Sequence, residues 1–167
     1  MVYQFTAAAE AVGATVKRLS GMTEAIKYLR GVTGGEKVAA SSLPEEYAAI
    51  LAAFPLAAPT EYPDVGFCIS AAQAGTAQTG SLLLDLGDPT GRSATALSPI
   101  HFVLLKESTI LPDLRAAAPL LGTVLGAGDN AYLSLTTGPS RTADIERVLT
   151  IGVHGPRELH IIILEGA

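Results

Sequence analysis

The chain has 167 residues, of which 49% are hydrophobic and 16% charged, with a net charge of -5. That length fits one domain with a real core, and the apolar content excludes a disordered chain. The acidic balance leaves no basic footprint for nucleic acid and fits an ordinary cytoplasmic protein.

Residues 3–12 read as a short helix that Gly13 stops, and residues 14–18 as a short strand. The start lacks the basic-then-apolar order of a signal peptide. Thr23 is placed to cap a second helix, with Glu24 in its first turn, Ala25, Ile26 and Leu29 as its apolar stripe, and Gly31 as its stop. Residues 37–41 are a strand candidate. Ser42 or Leu43 then leads into Pro44, a residue favoured at the first helical position, and a helix running to about Phe54. This alternation points to a parallel sheet with helices on its faces.

Pro55, Pro59 and Pro63 make residues 55–64 a loop. Residues 64–70 form the next strand, in which Cys68 reads as a buried thiol. As the one cysteine, it excludes an internal disulfide and a four-thiolate iron–sulfur or zinc site built by this chain alone. A segment of small and hydroxyl residues, 72–81, precedes a strand at 82–86. A hairpin or bulged turn between these strands would make the sheet mixed. Residues 87–91 read as a turn and 101–105 as a buried strand. Pro112 is placed to start a helix through Leu114, Ala117 and Leu121, with Gly122, Gly126 and Gly128 marking a loop after it. Residues 130–135 read as a strand, 142–149 as a helix and 159–164 as a strand buried on both faces. No apolar run approaches the ~20 residues that span a bilayer. The chain thus reads as a single α/β domain over residues 1–167, with a mostly parallel or mixed sheet and helices on both faces.

Three stretches could carry chemistry. Thr137-Gly-Pro-Ser-Arg-Thr142 ends a strand and begins a helix, whose N-terminus presents unpaired N–H groups and a partial positive charge. Ser140, Arg141 and Thr142 would add donors for a carboxylate or phosphate. The loop would lie outside the carboxyl end of a strand, where open α/β sheets bind ligands. A capped helix with Arg141 paired to Asp144 or Glu146 accounts for the same residues. In Gly152-Val-His-Gly-Pro156, His154 is placed to reach a ligand or to act as a general acid or base, or simply to hydrogen-bond a neighbouring loop. His101 and His160 begin apolar strands and read as structural. Gly75-Thr-Ala-Gln-Thr-Gly-Ser81 matches neither GxGxxG nor a P-loop, and Ser81 lacks a GxSxG context. Its small residues would let a ligand approach the backbone, with Gln78 as the one long polar side chain. No HExxH, CxxC or three-His spacing is present, so no protein-only metal site is expected.

Thr136-Thr-Gly-Pro-Ser-Arg-Thr-Ala-Asp-Ile-Glu146, followed by Gly152-Val-His-Gly-Pro156 and Leu159-His160, resembles the signature of the LUD-domain family, named for lactate utilization protein C (LutC, YkgG). Ala77-Gln-Thr-Gly-Ser-Leu82 and Leu97-Ser-Pro-Ile-His101 match two further family blocks in the right order. The resemblance covers roughly residues 64–164. It implies a fold like the NagB/RpiA/CoA-transferase group, which 5-formyltetrahydrofolate cyclo-ligase shares. It also implies a role in oxidising L-lactate to pyruvate, with iron–sulfur clusters carried by partner oxidoreductase subunits and no cofactor bound by this chain alone. The family block reading Ala77-Gln-Thr-Gly80 here usually carries an acid, so Gln78 replaces a carboxylate. The chain also begins without the extra N-terminal helices of many members, and a partner contact carried there is expected to be missing.

The favoured site places His154 as the acid–base group beside Gly75, Gln78, Thr79, Gly80, Ser81, Thr137, Gly138, Ser140, Arg141 and Thr142 as binding residues for a small carboxylate or phosphate. A bidentate Arg141 contact would suit lactate. Two alternatives remain: a free-standing enzyme of the CoA-transferase or cyclo-ligase type, acting on a phosphorylated or CoA-bearing substrate, and a binding module without chemistry. Against the first, the Gln78 amide cannot form the acyl anhydride of a covalent carboxylate mechanism.

Overall fold

The computed structural model describes residues 1–41, 43–126, 132–142, 150–151 and 154–166. Its centre is a five-stranded, wholly parallel sheet. The strand order is β1 (Thr15–Leu19), β11 (Glu158–Leu164), β6 (Ile100–Lys106), β3 (Phe67–Ala71) and β2 (Ala39–Ser41). Alternate side chains of a strand leave by opposite faces, so a strand covered on both sides has no polar position to spare. The unbroken apolar runs of β6 and β11 obey this. Val103, Leu105, Ile161 and Ile163 enter one core, while Phe102, Leu104, Ile162 and Leu164 enter the other.

The second core is closed by α2 (Met22–Thr33) and α3 (Ala48–Ala53), through Ala25, Leu29 and Ile50. The first is closed by α1 (Val2–Ala11) and by a second, mixed sheet. That sheet runs β7 (Ile110–Leu111), β4 (Ala74–Thr76), β5 (Ser81–Asp85), β8 (Leu133–Thr136). β4 and β5 form the expected hairpin, but they leave the parallel sheet to do so. A further helix, α4 (Pro89–Leu97), packs on β2 and β3. It shares a small cluster with Cys68, whose burial pushes the thiol's pKa up. Helices therefore cover both faces of the parallel sheet. No helix among the described residues is long and apolar enough to cross a membrane.

Several local expectations are corrected. Gly31 lies inside α2, and Gly34 ends that helix because it takes the left-handed conformation a C-cap needs, at φ 64°. The start falls at Met22 rather than after a Thr23 cap, and the Glu24 carboxylate accepts from Ser20 N at 2.9 Å. Residues 87–91 are not a bare turn. Asp88 accepts from the N–H groups of Thr90 and Gly91 and, with Pro89 behind it, starts α4. Pro112 starts no helix, since Asp113 holds a turn through Ala116 N; the helix α5 (Ala118–Gly126) begins later and contains Gly122 and Gly126. Arg141 and Thr142 form a short strand, β9 (Arg141–Thr142), antiparallel to β10 (Thr150–Ile151), instead of a helix start. The remainder of that expected helix, residues 143–149, lies outside the described residues, as do Ser42, Gly128, Gly152 and Val153.

His101 and His160 are structural, as expected. His160 sits between Tyr28 OH, 2.8 Å from Nδ1, and Glu158 Oε2, 3.0 Å from Nε2. His101 is 2% exposed, with Nε2 2.7 Å from Ser70 Oγ, and burial lowers its pKa from 6.5 to about 4. Above pH 6.5 the ring is neutral in both folded and unfolded chains and contributes nothing to the pH dependence. As pH falls toward 4, the unfolded chain takes up a proton that the folded chain refuses, so stability declines. The expected loss is about 3 kcal/mol between pH 7 and pH 4. Urea unfolding across that range checks it, with His101→Gln expected to lose this part of the slope.

Candidate functional site

The three stretches meet around the C-terminal half of α1. β5 and β8 pair antiparallel, with Leu82 opposite Thr136, so the next step of the register sets Ser81 beside Thr137. Their hydroxyls lie 2.7 Å apart. Ser81 Oγ is also 2.7 Å from Thr79 Oγ1, which is 2.8 Å from Thr76 Oγ1. Four hydroxyls thus form one continuous chain. Ser81 is 2% exposed, whereas Thr79 and Thr137 reach the surface. Each hydroxyl can donate or accept, so such a chain can reverse its direction and present either a proton or a lone pair at Thr137. Thr76 is the member that sequence reasoning missed. Its small-residue neighbourhood flagged the segment but not the side chain.

The glycines in these turns serve packing. Gly80 has φ 65°, and a Cβ there would stand 2.2 Å from Ala9 N. Gly138 has φ 71°, and its Cβ would meet Val12 O at 2.6 Å. Gly75 faces Phe5 and Leu105, with clearances of 2.8 and 3.0 Å for an added Cβ. The close backbone approach expected of this small-residue segment is therefore made by α1, at Phe5 and Ala9. The run Ala7-Ala8-Ala9 was the available signal, because small side chains on a helix let another backbone come near.

Arg141 Nη2 donates to Val12 O at 2.5 Å, next to Gly13. This places a cation at the negative end of α1, where it satisfies a terminal carbonyl. The alternative partners Asp144 and Glu146 lie outside the described residues. Ser140 donates from its hydroxyl to the carbonyl of His154, and Ser140 N donates to Pro156 O at 2.9 Å. The two turns of the long motif are thereby tied together, with the His154 side chain exposed. Gln78 is exposed as well, its backbone N–H held by Pro112 O at 3.0 Å. Thr142 pairs through its backbone with Thr150 in the β9–β10 ribbon.

Two expectations about this site change. Arg141 and Thr142 are in strand β9, so among the described residues no helix starts at Ser140–Thr142. The loop lies at the carboxyl end of β8, but at the amino end of the parallel sheet. Arg157 N and Glu158 N donate to Pro99 O at 2.8 and 3.2 Å, one residue before β6 starts, and Arg141 reaches the residues preceding β1. What the geometry offers is a polar face of hydroxyls, a guanidinium, an amide and an exposed imidazole.

Comparison with known proteins places this face in a family. The model of the LUD domain matches residues 60–164, which include the β4–β5 hairpin, the Thr137–Thr142 turn and the His154 loop. Lactate utilization protein C of Bacillus licheniformis is 33% identical over 91 residues, covering 53% of this chain and 38% of that protein. The Escherichia coli protein YkgG is 34% identical over 96 residues, covering 56% of this chain and 42% of its own length. This chain therefore spans well under half of these relatives. A crystal structure of a DUF162 family protein from Deinococcus radiodurans superposes with a TM-score of 0.69 over 98% of this chain and 95% of that one, at 15% identity, which supports the fold alone. With the family model matching more than half of its residues, the chain belongs to the LUD-domain family, alongside lactate utilization protein C.

Proposed function

We propose that this protein is a LutC-like component of an L-lactate utilization system, binding a small carboxylate at the loop face and docking on iron–sulfur partner subunits. The observation that carries the reading is the Ser81–Thr137 bond, which joins two blocks of the LUD match into one polar face. Thr79 and Thr137 supply hydroxyls, Arg141 retains donors beyond the one given to Val12, and Gln78 and His154 are exposed in the same stretches. A carboxylate on this face accepts charge-assisted hydrogen bonds from the guanidinium. The donor set of the chain does not fit an iron–sulfur cluster, since its one thiol, Cys68, is fully buried. Electron transfer therefore falls to the partners.

Co-expression with the iron–sulfur subunits of an L-lactate-oxidising system tests the reading. The chain should co-elute with them, and lactate-dependent dye reduction should require it. Arg141→Ala combined with Thr137→Val should lower turnover by about tenfold or more, the loss of charge-assisted and neutral hydrogen bonds together. Full lactate oxidation without the chain, or an unchanged double variant, would refute the assignment.

A further inference from the structure

The hydroxyl chain of the loop face has a property that none of its members has alone. Ser81 lies inside it, 2% exposed, with Oγ 2.7 Å from Thr79 Oγ1 and 2.7 Å from Thr137 Oγ1. Its hydroxyl has no third partner among the described residues. A serine hydroxyl carries one proton and two lone pairs. Accepting from both threonines would strand that proton in a buried place, which is costly. Ser81 therefore donates to one threonine and accepts from the other.

Thr76 restricts the chain further. It is 2% exposed, and the Thr79 hydroxyl, 2.8 Å away, is the one partner of its own hydroxyl among the described residues. By the same reasoning Thr76 spends its proton on Thr79, so Thr79 sends its proton either to Ser81 or outward. Two arrangements remain. In the first, Thr79 donates to Ser81 and Ser81 to Thr137; Thr137 then offers a proton outward and Thr79 a lone pair. In the second, Thr137 donates to Ser81 and Ser81 to Thr79, and the outward roles are exchanged. Both threonines are exposed, so these roles face solvent. The pair presents one donor and one acceptor at a time, never two donors. The backbone holds the groups in place. Ser81 and Thr137 each adjoin a left-handed glycine, Gly80 at φ 65° and Gly138 at φ 71°, packed against Ala9 and Val12.

We infer that Ser81 determines specificity: by coupling Thr79 to Thr137, it makes the loop face select a ligand that carries a hydroxyl beside its oxyanion over one that carries acceptors only. The oxyanion takes the outward proton of one threonine, and the ligand hydroxyl donates to the lone pair of the other. Each threonine is 2.7 Å from Ser81, so one small ligand spans both. A 2-hydroxy acid meets this demand. The matching 2-keto acid does not, because its keto oxygen meets a lone pair. The face thereby separates two oxidation states of one carbon skeleton, which carboxylate binding alone would not do. The coupling is a property of the three hydroxyls. Its use in choosing a ligand rests on the anion-binding role proposed for this face, and on nothing about the iron–sulfur partners.

Isotope-labelled protein titrated with sodium L-lactate and with sodium pyruvate, at equal ionic strength, tests this by NMR. The wild-type chain should bind lactate about fivefold or more tightly than pyruvate, with saturable shifts at Thr79, Ser81 and Thr137. Ser81→Ala frees both threonines to donate outward. It should bind pyruvate more tightly than the wild type does and lose the preference for lactate, a gain that mere damage to the loop would not give. Thr79→Val leaves Ser81 with Thr137 alone and fixes Thr137 as the outward donor, so there too lactate should lose its advantage. Amide spectra that overlay outside residues 76–81 and 136–138 show that each variant is folded. A preference for lactate retained in both folded variants would overturn the inference, as would equal binding of the two acids by the wild type. So would the absence of saturable shifts at these residues, which would remove the anion-binding role as well. Co-elution and dye reduction with the iron–sulfur subunits are read separately, so failure of the coupling and failure of the assembly assignment are told apart.

Discussion

Gly80→Ala is expected to lower stability by about 4 kcal/mol, an unusually large effect for one methyl group. Two costs add. A non-glycine residue at φ 65° carries strain of about 1–3 kcal/mol. Overpacking adds a similar ~1–3 kcal/mol, and here it cannot relax cheaply, because the added carbon would lie 2.2 Å from Ala9 N and 2.5 Å from Ala9 Cα. These are backbone atoms of a helix and cannot swing aside as a side chain would. At roughly 2–4 °C per kcal/mol for a chain of this size, the melting temperature should fall by about 10 °C. Gly122→Ala is the control: nothing lies within 4 Å of its added carbon and the residue is helical, so stability should hold or rise. An equal effect of the two substitutions would contradict the seating of the β4–β5 turn on α1.

Phe5→Ala should be of comparable size, about 3–5 kcal/mol. The ring is fully buried in the first core, against Gly75 and Leu105. Its removal leaves a cavity under β4 that the glycine there cannot fill. Urea unfolding measures the loss, and amide exchange locates it. Protection should fall first along α1 and in the turns at Gly80 and Gly138, which rest on that helix. Uniform loss of protection across both sheets would instead mean that α1 is no separate seat for these turns.

The sequence made the parallel sheet legible because β6 and β11 carry the unbroken apolar runs 102–105 and 161–164, which only a strand covered on both faces tolerates. Alternation of helix and strand before residue 64 was equally plain. The second sheet was not, because Ala74–Thr76 is short and built of small residues, with no pattern to separate a strand from a loop. α4 was hidden by its glycine and hydroxyl residues, although Asp88 and Pro89 spelled its cap. The hydroxyl-rich turns meet in space, with Ser81 Oγ 2.7 Å from Thr137 Oγ1. What could not be read was that Arg141 would reach back 129 residues to Val12, a contact with no local signature. Residues 140–142 look like a helix start by composition, yet Arg141 and Thr142 pair with Thr150 and Ile151 instead. Strand pairing overrides local propensity here, as it does generally in short strands.

The arrangement of α1 and β1 bears on where this domain can be cut. The best-matching segment starts at residue 60, but β1, β2 and α1 all precede it. Removing them would turn β11 from an interior strand with two neighbours into an edge, and would bare Val103, Leu105, Ile161 and Ile163 to water. A fragment bounded by sequence similarity is thus not a portable module. Recombinant trimming, domain transplantation or circular permutation of this protein has to carry the first 41 residues along with residues 60–164.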